Sequence, residues 1–123
     1  MSAAPSFRDP FPILYVEDVA RSVDFYTRHL GFELSYRWPA EGDIGFAFLR
    51  LEPLGIAVSH RGPEHQGRDF ELCIYTSDAL AAAERLRGAR AEELQPPQDE
   101  PWGERRAYFR DLDGHLIHLA QTL

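Results

Sequence analysis

The chain has 123 residues, which fits one domain and leaves little room for a second. Twenty acidic residues against 13 basic ones give a net charge of −7, which disfavours binding to nucleic acid or to an anionic membrane. All 13 basic residues are arginine, and Cys73 is the single cysteine, so the composition excludes lysine Schiff-base chemistry, a P-loop lysine, an internal disulfide and a cysteine-rich zinc site. The first residues lack the pattern of a secretory signal and no apolar run could span a bilayer, so we expect a cytoplasmic protein.

Similar segments recur about sixty residues apart, which predicts two copies of one supersecondary unit within a single domain covering residues 1–123. We expect the first copy at about residues 10–60, a polar linker at about 61–68 and the second copy at about 69–121. The matching segments are residues 16–20 with 76–80, residues 47–50 with 107–110, and Gly55 with Gly114.

The first copy is predicted to form a strand, a helix and three further strands. Residues 12–16 are apolar and β-prone, which is typical of a strand. Asp18 is a suitable N-cap, apolar residues follow at helical spacing, and Gly31 stands where a helix commonly ends. The remaining strands are predicted at residues 32–37, 44–51 and 56–59.

The second copy repeats this order. A strand at residues 70–75 precedes a helix at residues 79–87, which Ser77 or Asp78 would cap and which ends at Gly88. A short strand near residues 92–94 is expected to lead into a loop at Pro96 and Pro97, before a closing hairpin at residues 105–110 and 115–120. The predicted class is therefore α+β, with two βαβββ repeats that curl into an incomplete barrel around a cleft.

Strand alternation separates the side chains that face the helices from those that face the cleft. His115 and His118 lie three residues apart on one strand, so they are expected on opposite faces and cannot share a metal. Cys73 is predicted to be buried, which disfavours a reactive thiolate. The residues expected to face the cleft are Phe11, Ile13, Tyr15, Phe46, Phe48, Arg50, Glu71, Cys73, Tyr75, Tyr108, Arg110, Leu116 and His118.

The paired units contain three short motifs that together resemble a known family. They are Asp-Val-Ala-Arg-Ser-Val-Asp-Phe-Tyr at residues 18–26, Leu-Gly-Phe at 30–32 and Arg-Asp-Leu-Asp-Gly-His at 110–115. With them, residues 10–121 resemble the glyoxalase, bleomycin-resistance and extradiol-dioxygenase superfamily, often called vicinal oxygen chelate. Pro-Trp-Gly-Glu-Arg at residues 101–105 and Ile-His-Leu at 117–119 look most like the metal-free bleomycin-resistance branch.

The resemblance implies that enzymes of the superfamily hold a divalent metal at four positions. Those positions fall on Phe11, on Ser59 (or Ala57 if the register slips by two), on Glu71 and on His118. Phenylalanine, serine and alanine are not ordinary ligands, and a catalytic site normally has about three protein ligands. We therefore expect no metal and no other cofactor. Glu71 is interpreted either as a ligand-binding carboxylate or as an ion-pair partner of Arg50 or Arg110, and His118 as functional or as a structural, hydrogen-bonded histidine.

Aromatic residues make up 12% of the chain, and many of them are expected at the cleft. Trp102 lies between a proline and a glycine in a predicted loop, and Trp38 on another, where rings can stack on a flat ligand. The predicted ligand-binding residues are Phe11, Trp38, Phe46, Phe48, Ser59, Glu71, Trp102, Tyr108, Arg110 and His118.

The resemblance implies a homodimer whose two clefts lie between subunits and sequester a small, flat drug. It also implies an N-terminal arm that crosses to the partner subunit, which Pro5, Pro10 and Pro12 would keep extended. The alternative is a metal-dependent lyase, isomerase or dioxygenase with an atypical site in which His60 joins Glu71 and His118. A third hypothesis is a regulatory or scaffold module without a ligand.

Overall fold

A computed structural model of the chain describes Ser6 and residues 11–62 and 70–123. The described part forms the βαβββ order twice, which confirms the predicted α+β class and its two repeats. The predicted arm residues Pro5 and Pro10, and most of the predicted linker with His65, lie outside the described residues. The elements are β1 (Ile13–Val16), α1 (Val19–Leu30), β2 (Glu33–Trp38), β3 (Phe46–Leu51), β4 (Leu54–His60), β5 (Glu71–Tyr75), α2 (Ala79–Gly88), β6 (Glu92–Glu100), β7 (Glu104–Arg110) and β8 (Leu116–Thr122).

The described strands form two open, four-stranded sheets, one in each repeat. Sheet one has the order β1-β4-β3-β2, and sheet two has the corresponding order β5-β8-β7-β6. In each sheet the first and last strands of the repeat are parallel neighbours, and the other neighbours are antiparallel. Neither sheet closes into a barrel, so each keeps one face under a helix and one open face.

The two helices begin and end as their sequences predict. Asp18 and Asp78 are the N-caps, and their carboxylates accept hydrogen bonds of 3.0 Å from the backbone N–H groups of Arg21 and Ala81. Helix α1 ends at Gly31, whose φ of 78° is the left-handed conformation that glycine adopts at low cost. Neither of these two helices has the length and the apolar character needed to cross a bilayer.

The helix-facing sides of both sheets share one hydrophobic core. In the middle of the central strands, alternate residues point into this core and are buried, as the alternation predicts; Ala47 and Leu49 of β3 are examples. The largest fully buried side chains are Tyr26, Phe109, Leu14, Leu49, Ile56, Leu86, Ile117, Leu119, Val16 and Val58.

A buried carboxylate, Asp111, joins the first repeat to the second. Its Oδ2 accepts hydrogen bonds from the Tyr26 hydroxyl of α1 at 2.7 Å and from His115 Nδ1 at 2.8 Å. Its Oδ1 accepts from the backbone N–H groups of Asp113 and His115 at 2.9 and 2.8 Å. Asp113 in turn accepts from the backbone N–H of Glu17. The turn between β7 and β8 is therefore fixed to the start and the buried side of α1.

The prediction of a loop at Pro96 and Pro97 is wrong, because both prolines lie within strand β6. It runs for nine residues through Pro96 and Pro97, where a short strand and a loop were expected. β6 is an edge strand of sheet two, and an edge strand tolerates prolines because one of its sides needs no ladder hydrogen bonds. The register to β7 shifts between Gln95 and Gln98, around the two prolines. Trp38, which was expected on a loop, is the last residue of β2.

Candidate functional site

The open faces of the two sheets carry most of the predicted binding residues. Strand alternation places these side chains opposite the buried core, as predicted, and many of them are strongly exposed. Cys73, which was predicted to be buried, is exposed because no element of the described chain covers this face of β5. Among the residues that the structure describes, the exposed large aromatic side chains are Phe11 at 44%, Tyr36 at 54%, Trp38 at 62%, Tyr75 at 61% and Trp102 at 59%.

The open face of sheet one is mainly aromatic. Phe11 and Phe48 meet edge to face with ring centroids 5.0 Å apart. Tyr36 and Phe46 meet in the same way at 6.2 Å, and Trp38 lies opposite Phe46 across the β2–β3 ladder. Edge-to-face contacts orient neighbouring rings, so the rings present an ordered apolar surface.

Gly55 determines where the Phe48 ring lies. A Cβ atom at Gly55 would overlap this ring, so only glycine lets the ring lie across the start of β4. Gly55 lies opposite Arg50 in the β3–β4 ladder, two residues along β3 from Phe48. The local sequence therefore fixes one ring of the aromatic face.

The open face of sheet two is polar by comparison. His118 Nε2 lies 2.8 Å from Glu71 Oε1, and His118 Nδ1 lies 3.2 Å from Arg106 Nη1. A guanidinium can only donate, so Nδ1 accepts and the hydrogen on Nε2 is donated to Glu71. This pair of contacts assigns His118 to the neutral Nε2–H tautomer. The Tyr108 ring packs edge-on against the imidazole with centroids 4.9 Å apart.

Glu104 forms a second polar cluster on the same face. It accepts hydrogen bonds from the Tyr75 hydroxyl at 2.7 Å, from Trp102 Nε1 at 2.7 Å and from Arg106 Nε at 2.9 Å. The hydrogen bonds from Tyr75, then from Trp102 and Arg106, lower the pKa of Glu104, and the same Glu104 bond raises the pKa of Tyr75. The carboxylate therefore stays ionised and holds both rings at neutral pH.

Sequence reasoning missed Glu104 and Arg106. Both lie on the open face because they precede Tyr108 at intervals of two residues on β7. The predicted strand began one residue later, at Arg105, so Glu104 was placed outside it. Extending the alternation from Tyr108 towards the N-terminus of the strand was the available signal.

The ion pair expected between Glu71 and Arg50 or Arg110 does not form, and each of these three residues has another partner. Glu71 is bonded to His118, whereas Arg50 pairs with Glu52 at 2.8 Å and Arg110 donates to the carbonyl of Gly114.

The predicted binding residues divide between the two sheets and their loops. Sheet one carries Phe46, Phe48, Trp38 and Ser59, with Phe11 just before β1, and sheet two carries Glu71, Tyr108, Arg110 and His118, with Trp102 in the β6–β7 turn.

The strand register identifies the residue of the first repeat that corresponds to His118. His118 lies opposite Tyr108, and Ala57 lies opposite Phe48 in the same way, whereas Ser59 lies opposite Phe46. The register thus favours Ala57, the alternative to Ser59. His60 ends β4 in sheet one, where its Nδ1 contacts the carbonyl of Arg61.

The residues at the four metal positions do not fit a divalent cation. Phe11 and Ala57 have no donor atoms, and Glu71 and His118 are hydrogen-bonded to each other. Within residues 11–62 and 70–123, no three His, Cys, Asp or Glu side chains are grouped so that they could hold a metal ion. We therefore assign no chemical step to a bound metal.

Comparison with known proteins identifies the family. Residues 8–119 match the model of the Glyoxalase/Bleomycin resistance protein/Dioxygenase superfamily, and the chain belongs to this superfamily. Among solved structures, TioX from Micromonospora sp. ML1 is 32% identical with a TM-score of 0.77, and the match covers 92% of this chain and 98% of TioX.

Two further relatives are described as proteins of different functions. TnmS3 from Streptomyces sp. CB03234, described as an antibiotic binding protein, is 26% identical with a TM-score of 0.73 over 99% of this chain and 100% of its own. A lactoylglutathione lyase from Pseudomonas putida is 25% identical over 146 residues, covering 89% of this chain and 82% of the lyase.

Proposed function

We propose that this protein binds and sequesters a small molecule that carries a flat aromatic group, and that it does so without a metal. The main observation in support of this proposal is that each sheet has an open face with exposed aromatic rings on or beside it. Five large aromatic side chains on or beside the two faces are between 44% and 62% exposed, a costly arrangement unless something covers the rings.

The chemistry of the two faces supports a binding role. Sheet one offers ordered rings for stacking, and sheet two offers carboxylates, an arginine and a neutral histidine for hydrogen bonding. Mostly apolar surfaces with a few placed polar groups are typical of small-molecule sites. The similarity to TnmS3, described as an antibiotic binding protein, agrees with this interpretation.

The proposal includes a cytoplasmic homodimer. A second copy would cover part of the exposed apolar surface and bring open faces together into closed clefts, as the family resemblance implies. In this arrangement the partners are the ligand and a second copy of the chain, with no role for nucleic acid or membrane.

Tryptophan fluorescence tests the binding proposal. The chain has only two tryptophans, Trp38 and Trp102, so their emission reports directly on the two faces. We expect a saturable change in emission, and a rise in melting temperature, with at least one member of a panel of planar and glycopeptide antibiotics. Trp38→Phe and Trp102→Phe variants assign the signal to one face. The absence of both effects across the panel would count against the proposal.

The second candidate is a metal-dependent lyase, isomerase or dioxygenase. Two observations favour it: the similarity to a lactoylglutathione lyase, and the presence of Glu71 and His118 at two of the four metal positions. Elemental analysis of the purified protein separates the two candidates. Stoichiometric Ni, Zn, Mn or Fe that survives treatment with a chelator would support the enzyme.

A further inference from the structure

We propose that Glu104 is a positioning residue that locks Tyr75 and Trp102 together as one rigid aromatic pair at the edge of the open face of sheet two. One carboxylate oxygen accepts from Tyr75 and the other accepts from Trp102, each at 2.7 Å. The two rings belong to separate elements, β5 and the β6–β7 turn, so no local backbone geometry brings them together.

A small residue makes this contact across the sheet possible. β8 lies between β5 and β7, and Ala120 of β8 is the residue opposite both Tyr75 and Arg106. Ala120 is fully buried. A larger side chain on this face would stand between Tyr75 and Glu104, so the alanine leaves the space in which they meet.

The backbone of Trp102 is fixed as well as its side chain. Gly103 has a φ of 91° and its N–H donates to the carbonyl of Glu100, while its carbonyl accepts from the N–H of Leu123. The turn therefore sets the direction of the indole, and Glu104 sets its rotation. Both rings remain about 60% exposed although they are held, which suits a contact with something outside the chain.

The positive charge of Arg106 stabilises the ionised carboxylate of Glu104. Its guanidinium pairs with Glu104 at 2.9 Å, and the side chains of Arg106 and Glu104 are only 17% and 14% exposed. The same arginine contacts His118, which contacts Glu71. The aromatic pair is thus connected to the polar centre of the face, and rings that are ordered before binding lose less entropy when a flat ligand stacks on them. This consequence for ligand binding rests on the proposed function, whereas the locking of the rings does not.

The test compares Glu104→Leu with Asp99→Leu in a Trp38→Phe background, where Trp102 is the only tryptophan. Leucine removes both acceptor oxygens, so the Tyr75 hydroxyl and Trp102 Nε1 both lose their bonds. An amide at this position would not release both rings, because its NH2 group could donate to the Tyr75 hydroxyl oxygen. Asp99→Leu is the matched control, since it removes another carboxylate–arginine contact between β6 and β7 without touching the rings.

We expect Glu104→Leu to give Trp102 a faster time-resolved anisotropy decay and stronger quenching by acrylamide, and Asp99→Leu to behave like the Trp38→Phe parent. If Glu104→Leu does not fold, Tyr75→Phe and Ala120→Leu disturb the same cluster and should loosen Trp102 in the same way. Unchanged anisotropy and quenching in the folded variant would overturn the proposal. These measurements need no ligand, so they stand if the antibiotic panel fails. With a panel member that binds, we expect affinity to fall about tenfold, the effect of one lost favourable contact, and unchanged affinity would also overturn it.

Discussion

At the scale of single residues, Asp111 shows how a buried charge is retained. Burial alone would raise the pKa of Asp111, but the hydrogen bonds from His115 and Tyr26 outweigh it and leave the pKa lowered. Burial, and then the nearby carboxylate of Asp111, raise the pKa of Tyr26 well above its usual value. At neutral pH the pair is thus a carboxylate and a protonated phenol, with the hydroxyl donating.

Tyr26→Phe measures the value of this contact between the repeats. The ring still fills its place in the core, but Asp111 loses one donor while it stays buried. We expect the free energy of unfolding to fall by about 2 kcal/mol, as for other hydrogen bonds to charged groups. Urea unfolding at pH 7 provides the measurement. Tyr36→Phe, on the open face, is the control and should change stability little; an equal loss in both variants would contradict the assignment.

Single residues also mark the limits of sequence reasoning about the site. The alternation correctly assigned Phe48, Tyr108 and His118 to the open face, because strand periodicity depends on local sequence alone. It could not show that Glu71 bonds to His118, since that contact joins positions 47 residues apart. Cys73 was predicted buried because the alternation gives the face of a residue, and not whether anything covers that face.

At the scale of elements, the helices could be predicted almost to the residue and β6 could not. The helix boundaries are set by local residues. The side chains of Asp18 and Asp78 cap the two N-termini, and Gly31 ends α1 because glycine adopts a positive φ at low cost. In contrast, Pro96 and Pro97 end a strand unless it lies at a sheet edge, and the sheet order is set by long-range pairing. Trp102 lies in the β6–β7 turn, as its predicted position on a loop implied, but the missed extensions of β6 and β7 hid how short this turn is.

Gly55→Ala tests how an element shapes the aromatic face. The added Cβ overlaps the Phe48 ring, which must swing away from Phe11. We expect a loss of about 1 kcal/mol in thermal or urea unfolding, at the low end for overpacking because the ring is only half-buried. Gly45→Ala is the control, because its Cβ would come no closer than 3.8 Å to the carbonyl of Trp38. Equal stability of the two variants would show that Phe48 does not depend on Gly55.

At the scale of the whole molecule, the two open sheets share one core on their helix-facing sides, and the opposite face of each sheet stays open. The repeat order predicted this architecture, because each βαβββ unit buries only one face of its own sheet. The sequence did not predict that the open face is aromatic on sheet one and polar on sheet two. This difference is seen only from the contacts of Glu104, Arg106 and His118 in the structure. The proposed ligand therefore combines a flat ring system with hydrogen-bonding groups.

We propose that binding needs no metal, because Phe11 and Ala57 occupy two of the four positions at which the family resemblance implies metal ligands. Isothermal titration calorimetry of chelator-treated protein with an antibiotic identified by the fluorescence panel tests this claim most directly. We predict the same affinity before and after removal of divalent ions, and no change when Mn, Ni or Zn is added back. Binding that disappears with the chelator and returns with one of these metals would contradict the account.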